Sequence, residues 1–265
     1  MRQILQSLSD GRTMIVTVPQ PTVLPGTLLI ETRRTLVSAG TERMLVEFGK
    51  ASLIEKARKN PERVKQVLQK ARTDGLAATV GAVRSKLSQP IPLGYCNAGV
   101  VAAVGEGVTG FAVGDRVVPN GGHAALVRVP VNLCAKIPDR VDDDAAAFTV
   151  LAAIGLQGLR LAGPTLGETF AVIGLGLIGL ITVQLLRANG CDVIGIDPDP
   201  ERCALAEGFG ARTMRPGDGV DPAAHVLAAT GGVGADGVLI TAATTSHEPR
   251  EQAAKVSRQL GRIVR

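Results

Sequence analysis

The chain has 265 residues, of which 45% are hydrophobic and 20% charged, and this balance is that of a globular protein long enough for two domains. One tyrosine and no tryptophan argue against an aromatic stacking surface for single-stranded nucleic acid. The net charge of +5 comes from residues 50–86, where ten basic and three acidic residues give +7 and leave about −2 for the rest. We therefore expect no nucleic-acid partner.

The first 89 residues change from strand-like to helix-like patterns. Apolar runs at 4–5, 14–18 and 28–37 predict strands. Apolar residues then recur at helical spacing, namely Val64, Val67, Leu68, Ala71, Leu76, Val80, Val83 and Leu87. We interpret residues 50–88 as amphipathic helices inserted into a strand-rich domain, with a buried stripe and a basic outer face. That face is either simply solvated, which is the more common case, or a recognition surface for an acidic substrate or partner.

Residues 90–140 return to short strands separated by glycine-containing turns, with predicted strands at 99–104, 116–118 and 124–129. His123 directly precedes the last of these strands. It is either a hydrogen-bonded histidine at a strand end, which we favour, or a metal ligand. Residues 142–161 are helix-like, and we place the boundary between two domains, 1–147 and 148–265, in this region.

A β-α-β unit is predicted at 168–197, and its first turn carries the pattern G-x-G-x-x-G. Gly174 allows the tight turn, Gly176 leaves room for the backbone to approach a pyrophosphate, and Gly179 lets the helix pack closely on the strand. The main-chain N–H groups at the start of the helix, around Leu177 and Ile178, face the phosphates at the positive end of the helix dipole. These residues are therefore predicted to bind a dinucleotide.

The second strand of this unit ends at Asp197, 23 residues after Gly174, where a carboxylate can accept hydrogen bonds from the adenosine ribose. A membrane span at 170–186 is the alternative, but the run is shorter than the roughly 20 residues that a span needs and contains spaced glycines. Helix-like and strand-like segments alternate up to a fifth strand at 261–264. This α/β pattern predicts a parallel, doubly wound sheet.

The four cysteines form no C-x-x-C pair and no cluster with the spacing of zinc ligands. They are expected to be reduced thiols in a cytoplasmic protein. The first residues lack the long apolar core of a signal peptide, which points the same way. We expect no membrane partner.

Several motifs together carry a family resemblance. GYCNAGVV at 94–101, VGEGV at 104–108 and VGDRV at 113–117 accompany the GLGLIG turn at 174–179. This combination resembles the medium-chain dehydrogenase/reductase superfamily, the group similar to zinc alcohol dehydrogenases, over the whole chain apart from roughly residues 50–88. The resemblance implies a GroES-like catalytic domain, then a Rossmann domain, with the active site in the cleft between them. It also implies that the chain is C-terminally incomplete, with the Rossmann sheet lacking its last strand.

One branch of the superfamily fits more closely. SAGTERM at 38–44, the helical insertion and LGYCN at 93–97 resemble the N-terminal half of bi-domain oxidoreductases, which tend to occur with polysaccharide biosynthesis. Zinc-dependent members place their ligands where this chain has Ala39, Tyr95 and, before the linking helix, Thr149. The comparison with that pattern implies that no catalytic zinc is bound, since a zinc site needs three or four ligands.

These inferences predict a zinc-independent oxidoreductase that transfers a hydride between a nicotinamide and an alcohol or carbonyl substrate, with a sugar derivative as one candidate. Thr41 and Tyr95 are the catalytic candidates, as hydrogen-bonding or proton-relay groups. NAD is expected over NADP because Asp197 would repel a 2′-phosphate, although Arg202 matches a basic family position near the ribose. The alternative is a non-catalytic dinucleotide-binding or scaffold module. Homo-oligomerisation is left open, because the strand at 261–264 could be an exposed edge.

Overall fold

The computed structural model describes residues 1–59, 61–217, 219, 221–244 and 246–265. They divide into two units, Met1–Val150 and Leu151–Arg265, close to the predicted boundary between residues 147 and 148. The division falls inside a helix, Thr149–Ala162, most of which belongs to the second unit.

The first unit is built on antiparallel sheets. Its described strands are β1 (Arg2–Gln6), β2 (Thr13–Thr17), β3 (Thr27–Leu36), β4 (Ile91–Pro92), β5 (Cys96–Val104), β6 (Arg116–Pro119), β7 (Leu126–Pro130) and β8 (Cys134–Lys136). They form two sheets, with the orders β2-β1-β4 and β7-β3-β5-β6-β8. Leu28 and Ile30 of β3 are fully buried with Val101 and Val117 from neighbouring strands, because alternate residues of a strand face the same side.

Helices occupy the segment between β3 and β4. They are α1 (Ala39–Lys50), α2 (Leu53–Lys59), α3 (Pro61–Asp74) and α4 (Leu76–Ser88), and a short α5 (Asp143–Ala146) follows β8. The insertion at 50–88 is thus helical as predicted, and helix already begins at Ala39. In α5, the carboxylate of Asp142 accepts a hydrogen bond from the amide of Ala145 and so caps the helix N-terminus.

Two details predicted for the insertion are wrong. Lys56, one of the ten basic residues at 50–86, is predicted to lie on the outer basic face, but its side chain is buried and its ammonium donates to the main-chain oxygens of Leu8 at 2.8 Å and Gly49 at 3.0 Å. These bonds offset the cost of removing the charge from water. Val67, assigned to the buried stripe, is exposed. Other side chains of the predicted stripe and basic face lie outside the described part, namely Leu68, Ala71, Leu76, Val80, Lys59, Arg63, Lys70, Arg84 and Lys86.

The second unit is a parallel sheet with helices on both faces. Its described strands are β9 (Thr169–Ile173), β10 (Asp192–Ile196), β11 (Arg212–Met214), β12 (Ala235–Ile240) and β13 (Ser257–Val264). Its described helices are α6 (Thr149–Ala162), α7 (Leu177–Ala188), α8 (Pro200–Gly208), α9 (Pro222–Ala229) and α10 (Glu248–Val256). The strand order is β11-β10-β9-β12-β13, with every pair parallel. Within the described ranges, no helix is both long and apolar enough to cross a membrane.

The two faces of this sheet explain the continuous apolar run in β9. Phe170 and Val172 pack on the side of α6, α7 and α8, whereas Ala171 and Ile173 pack on the side of α9 and α10. A strand that is covered on both faces needs apolar side chains at every position. The hydrophobicity at 170–173 therefore belongs to a buried parallel strand.

The last strand is longer than predicted. The sequence predicts this strand at 261–264, but β13 already begins at Ser257, directly after α10 ends at Val256. The pairing of β13 with β12 contains an irregularity, and Leu260 there has a φ of 60° and is 90% exposed. The sequence pattern misses the first residues of this strand because the irregularity of the backbone breaks the alternation of its side chains.

Candidate functional site

The glycine-rich turn between β9 and α7 has little room at two of its glycines and open space at the third. Gly174 has a φ of 96°, which favours glycine, and a Cβ there would lie 2.6 Å from the amide nitrogen of Ala242. A Cβ on Gly179 would lie 2.0 Å from the carbonyl oxygen of Gly174. In contrast, a Cβ on Gly176 would meet no described atom within 4 Å. Gly174 and Gly179 thus shape the turn, whereas Gly176 faces space that a ligand could occupy.

The start of α7 provides hydrogen-bond donors beside that space. Among the described residues, no side chain caps this helix, whose N-cap is Gly176. The N–H groups of Leu177, Ile178 and Gly179 belong to the first turn, where a helix offers its own donors no acceptor. They lie at the positive end of the helix dipole and suit an anion. The turn therefore fits the pyrophosphate of a dinucleotide.

Asp197 lies at the end of β10 beside the same turn. Its carboxylate is buried and accepts hydrogen bonds from the amides of Leu175 at 2.7 Å and Asp199 at 2.9 Å. The guanidinium of Arg202 is half exposed and lies 3.7 Å from Asp197 and 3.3 Å from Asp199. A carboxylate has about four acceptor positions, so Asp197 can also accept hydrogen bonds from ribose hydroxyls. Arg202 is thus already engaged by two carboxylates.

The two catalytic candidates lie close together in the first unit, with a third hydroxyl that the sequence did not single out. The phenol of Tyr95 donates a hydrogen bond to the hydroxyl of Ser38 at 2.8 Å and lies 3.4 Å from the hydroxyl of Thr41. Ser38 is buried, Tyr95 is half-buried and Thr41 is exposed. We call these three side chains the hydroxyl cluster. It can hydrogen-bond a polar ligand, because Thr41 reaches solvent.

A buried pair lies behind the hydroxyl cluster. The imidazole Nε2 of His123 is 2.9 Å from a carboxylate oxygen of Glu42, and both side chains are at least 95% buried. The other oxygen of Glu42 accepts the main-chain N–H of Ser38 at 2.8 Å, and the Nδ1 of His123 is hydrogen-bonded to Thr35. Both ring nitrogens therefore have partners, as expected for a satisfied histidine. Sequence reasoning did not identify Glu42 as the partner.

Comparison with known proteins agrees with this geometry. Residues 66–139 match the family described as alcohol dehydrogenase GroES-like domain, and residues 178–265 match the family described as zinc-binding dehydrogenase. The chain belongs to the medium-chain dehydrogenase/reductase superfamily. The predicted fold class, a GroES-like domain followed by a Rossmann-type parallel sheet, is thereby confirmed.

Individual relatives are distant and longer. The (R,R)-butanediol dehydrogenase of Bacillus subtilis is 30% identical in an alignment of 171 residues, and the match covers 54% of this chain and 49% of that protein. The D-guloside 3-dehydrogenase of Escherichia coli is 32% identical over 153 residues, covering 56% of this chain and 44% of that protein. The matched part of the chain thus spans about half the length of these relatives.

Solved structures show the same fold over nearly the whole chain. A 2R,3R-butanediol dehydrogenase from Bacillus subtilis superposes with a TM-score of 0.75 at 21% identity, covering 99% of this chain and 76% of that one. A mycobacterial protein complexed with NADPH superposes with a TM-score of 0.69 at 23% identity, covering 99% and 72%. At these identities the likeness establishes the fold alone.

In this dehydrogenase/reductase chain, the residues at the expected zinc-ligand positions do not fit zinc. Ala39 has no donor atom, and the phenol of Tyr95 and the hydroxyl of Thr149 are weak zinc ligands beside thiolate and imidazole. Tyr95 also donates its hydrogen to Ser38. The match described as a zinc-binding dehydrogenase covers residues 178–265, which include none of these positions.

Three of the four cysteines are poor nucleophiles because of their environment. Burial raises the pKa of Cys134 to about 11, and burial likewise raises the pKa of Cys191 and Cys203. All four cysteines, including the buried Cys96, are outside any disulfide bond. We therefore assign them no part in the chemistry of the site.

Proposed function

We propose that this chain is a zinc-independent oxidoreductase that uses a nicotinamide dinucleotide to interconvert an alcohol and a carbonyl compound. The glycine-rich turn carries the proposal, because Gly176 faces open space beside first-turn amides of α7 while its neighbours are closely packed. Membership of the dehydrogenase/reductase superfamily supports the same cofactor class. When bound, the nicotinamide supplies or accepts the hydride.

We assign binding of the reacting oxygen to the hydroxyl cluster. Thr41 is exposed and can donate to a substrate oxygen, while Tyr95 and Ser38 form a hydrogen-bonded pair that can hold or pass a proton. Hydroxyl donors polarise a carbonyl through hydrogen bonds, which is the task that a Lewis-acidic metal performs in other sites. We propose a polyol or a sugar derivative as the substrate class, because two relatives are named for a diol and a guloside.

The test combines cofactor binding with turnover. Oxidation or reduction of the cofactor is followed in the presence of a panel of diols, glycosides and their keto derivatives. Tyr95→Phe removes only the phenolic hydroxyl, and we expect kcat to fall by about 10²-fold, the lower end of what positioned acid–base groups contribute. NADH affinity should be unchanged in this variant. Full activity of Tyr95→Phe would contradict the assigned role.

We further propose that NAD is preferred over NADP. The carboxylate of Asp197 would repel a 2′-phosphate, and Arg202 is already paired with Asp197 and Asp199. Fluorescence titration with NADH and NADPH measures the preference, and Asp197→Ala should narrow the gap between the two affinities. Tighter NADPH binding by the unmodified chain would refute the proposal.

Zinc independence has its own test. Protein purified without a histidine tag should contain well under one zinc per chain, and chelator should leave activity intact, because Ala39, Tyr95 and Thr149 supply no ligand set. Stoichiometric zinc would overturn both this statement and the role of Tyr95. We further propose a cytoplasmic location, which is consistent with four cysteines outside any disulfide bond.

A non-catalytic dinucleotide-binding or scaffold module is the second candidate function. The observation in its favour is the donor set at the expected zinc positions, which does not fit the metal. NADH binding without turnover of any substrate in the panel would support it. Turnover that is lost in Tyr95→Phe would exclude it.

A further inference from the structure

His123 holds the turn that presents Tyr95. Its amide donates to the carbonyl of Leu93 at 2.8 Å, and its carbonyl accepts the amide of Ile4 at 2.8 Å. Its imidazole lies directly on Gly94, where a Cβ would stand only 2.6–2.7 Å from three ring atoms. Gly94 also has a φ of 88°. The residue preceding Tyr95 is thus fixed both by the main chain and by the ring of His123.

The same imidazole connects to the segment that carries the other two hydroxyls. Its Nε2 meets Glu42 in α1, and the second oxygen of that carboxylate accepts the N–H of Ser38 at the helix N-cap. Its Nδ1 is bonded to Thr35 near the end of β3. One side chain therefore links the end of β3, the start of α1 and the turn before β5.

These contacts leave His123 and Glu42 away from any ligand. Their side chains are only 3% and 5% exposed, and both ring nitrogens of His123 and both carboxylate oxygens of Glu42 already have partners, so we assign neither residue a direct contact with a substrate. A buried polar pair is weak evidence for stability, because an apolar pair of similar volume often serves as well or better. The contribution of the pair is to orientation, because each of its hydrogen bonds fixes a segment that bears a side chain of the hydroxyl cluster.

We propose that Glu42 and His123 are positioning residues that hold Ser38, Thr41 and Tyr95 in one hydrogen-bonding arrangement for the reacting oxygen. The inference deepens the function proposed above and rests on it for the reaction, but the positioning itself can be measured without a substrate. The positioning requires the hydrogen bonds of Glu42 and His123. It does not require a charge on either residue.

The experiment exploits the composition of the chain. Tyr95 is the only tyrosine and there is no tryptophan, so intrinsic fluorescence reports this one side chain. Glu42→Leu removes both hydrogen bonds of the carboxylate, whereas Glu42→Gln keeps the shape and can still accept from Ser38 and donate to His123. Glu47→Gln removes an exposed carboxylate from the same helix and serves as the control. Acrylamide quenching of Tyr95 and kcat are measured for all three, and also for Ser38→Ala, which removes the acceptor of the Tyr95 phenol.

We expect faster quenching in Glu42→Leu, approaching that of Ser38→Ala, with Glu42→Gln and Glu47→Gln close to the unmodified protein. In Glu42→Leu, kcat should fall by about 10²-fold with little change in KM, the effect of a misplacement of about 1 Å. If Glu42→Leu does not fold, Thr35→Val takes its place, since it removes the Nδ1 partner from a β-branched position of a strand and should shift quenching in the same direction.

Two results would overturn the inference. One is unchanged quenching in a folded Glu42→Leu or Thr35→Val variant. The other is a Glu42→Gln variant as impaired as Glu42→Leu, which would make the negative charge, and not the hydrogen bonds, the important property. Altered quenching in a protein that turns over no substrate would leave the positioning intact and refute the proposed reaction instead.

Discussion

Two glycines three residues apart in the same turn should respond oppositely to the same substitution. A Cβ on Gly179 would stand 2.0 Å from the carbonyl oxygen of Gly174, which is backbone and cannot swing away as a flexible side chain would. Overpacking of this kind costs up to about 3 kcal/mol, and alanine regains about 1 kcal/mol of helix propensity over glycine. We therefore expect Gly179→Ala to lower the free energy of unfolding by about 2 kcal/mol.

Gly176→Ala should instead leave the fold nearly intact and damage cofactor binding. Its φ of −68° suits alanine, and no described atom lies within 4 Å of the new methyl group. The loss of glycine at an N-cap costs about 1 kcal/mol or less. The methyl would stand where the pyrophosphate approaches the backbone, so we expect NADH affinity to fall about tenfold or more, equivalent to about 1.4 kcal/mol.

Thermal unfolding followed by circular dichroism and NADH fluorescence titration separate the two effects. At about 2–4 °C per kcal/mol, Gly179→Ala should melt about 4–8 °C below the unmodified protein, and Gly176→Ala within about 4 °C of it. The reasoning would be refuted by a Gly176→Ala variant that binds NADH normally. It would be refuted equally if Gly176→Ala were the less stable of the two.

Three further outcomes can be checked by stability and labelling. The hydrogen bond from Arg262 lowers the pKa of Glu168, so this pair stabilises the fold above the ordinary carboxyl value of 4.5 and the stabilisation is lost as pH falls through the lowered pKa. The difference in unfolding free energy between the unmodified protein and Arg262→Gln, from denaturant titrations, should therefore shrink in acid. Lys56→Met leaves two main-chain carbonyls without their ammonium donor and should cost about 1–3 kcal/mol in the same assay. Cys134, whose pKa is raised to about 11 by burial, should react with iodoacetamide at pH 7.5 much more slowly than a free thiol in a peptide, as followed by mass spectrometry.

The dinucleotide turn could be predicted from the sequence because its requirements are local. Gly174 needs a positive φ, Gly179 needs the absence of a Cβ, and Asp197 comes at the end of the next strand, so residue type and spacing are enough. The continuous apolar run of β9 was likewise informative, because a buried parallel strand has no polar face. These features depend on backbone geometry within a single β-α-β unit.

The buried pair could not be predicted in the same way. Glu42 and His123 are 81 residues apart, and Ser38 and Tyr95 are 57 apart, so only the folded first unit brings them together. The partial signal was the spacing of Ser38 and Glu42 in the sequence, because a carboxylate in the first turns of a helix can accept the main-chain N–H of the N-cap residue. Lys56 illustrates the same limit. The basic segment predicts a solvated lysine, whereas in the folded chain two main-chain carbonyls bind its ammonium.

The proposed zinc-independent site has to solve a positioning problem that a metal would otherwise solve. A bound cation attracts an oxygen over a range of angles and also ties its ligands together, whereas a hydroxyl polarises an oxygen only when its hydrogen points the right way. The Tyr95–Ser38 contact is a single 2.8 Å bond between distant parts of the chain, and such a bond loses its value with small rotations of either segment. A buried Glu42–His123 pair is costly to desolvate, and such a pair is reasonable where the orientation of side chains matters more than stability.

The decisive variant is therefore Glu42→Leu. If it proves at least as stable as the unmodified protein in denaturant titration, yet much slower in kcat, stability and orientation are separated at one residue. A variant that is destabilised but keeps full kcat would show that the pair serves the fold alone.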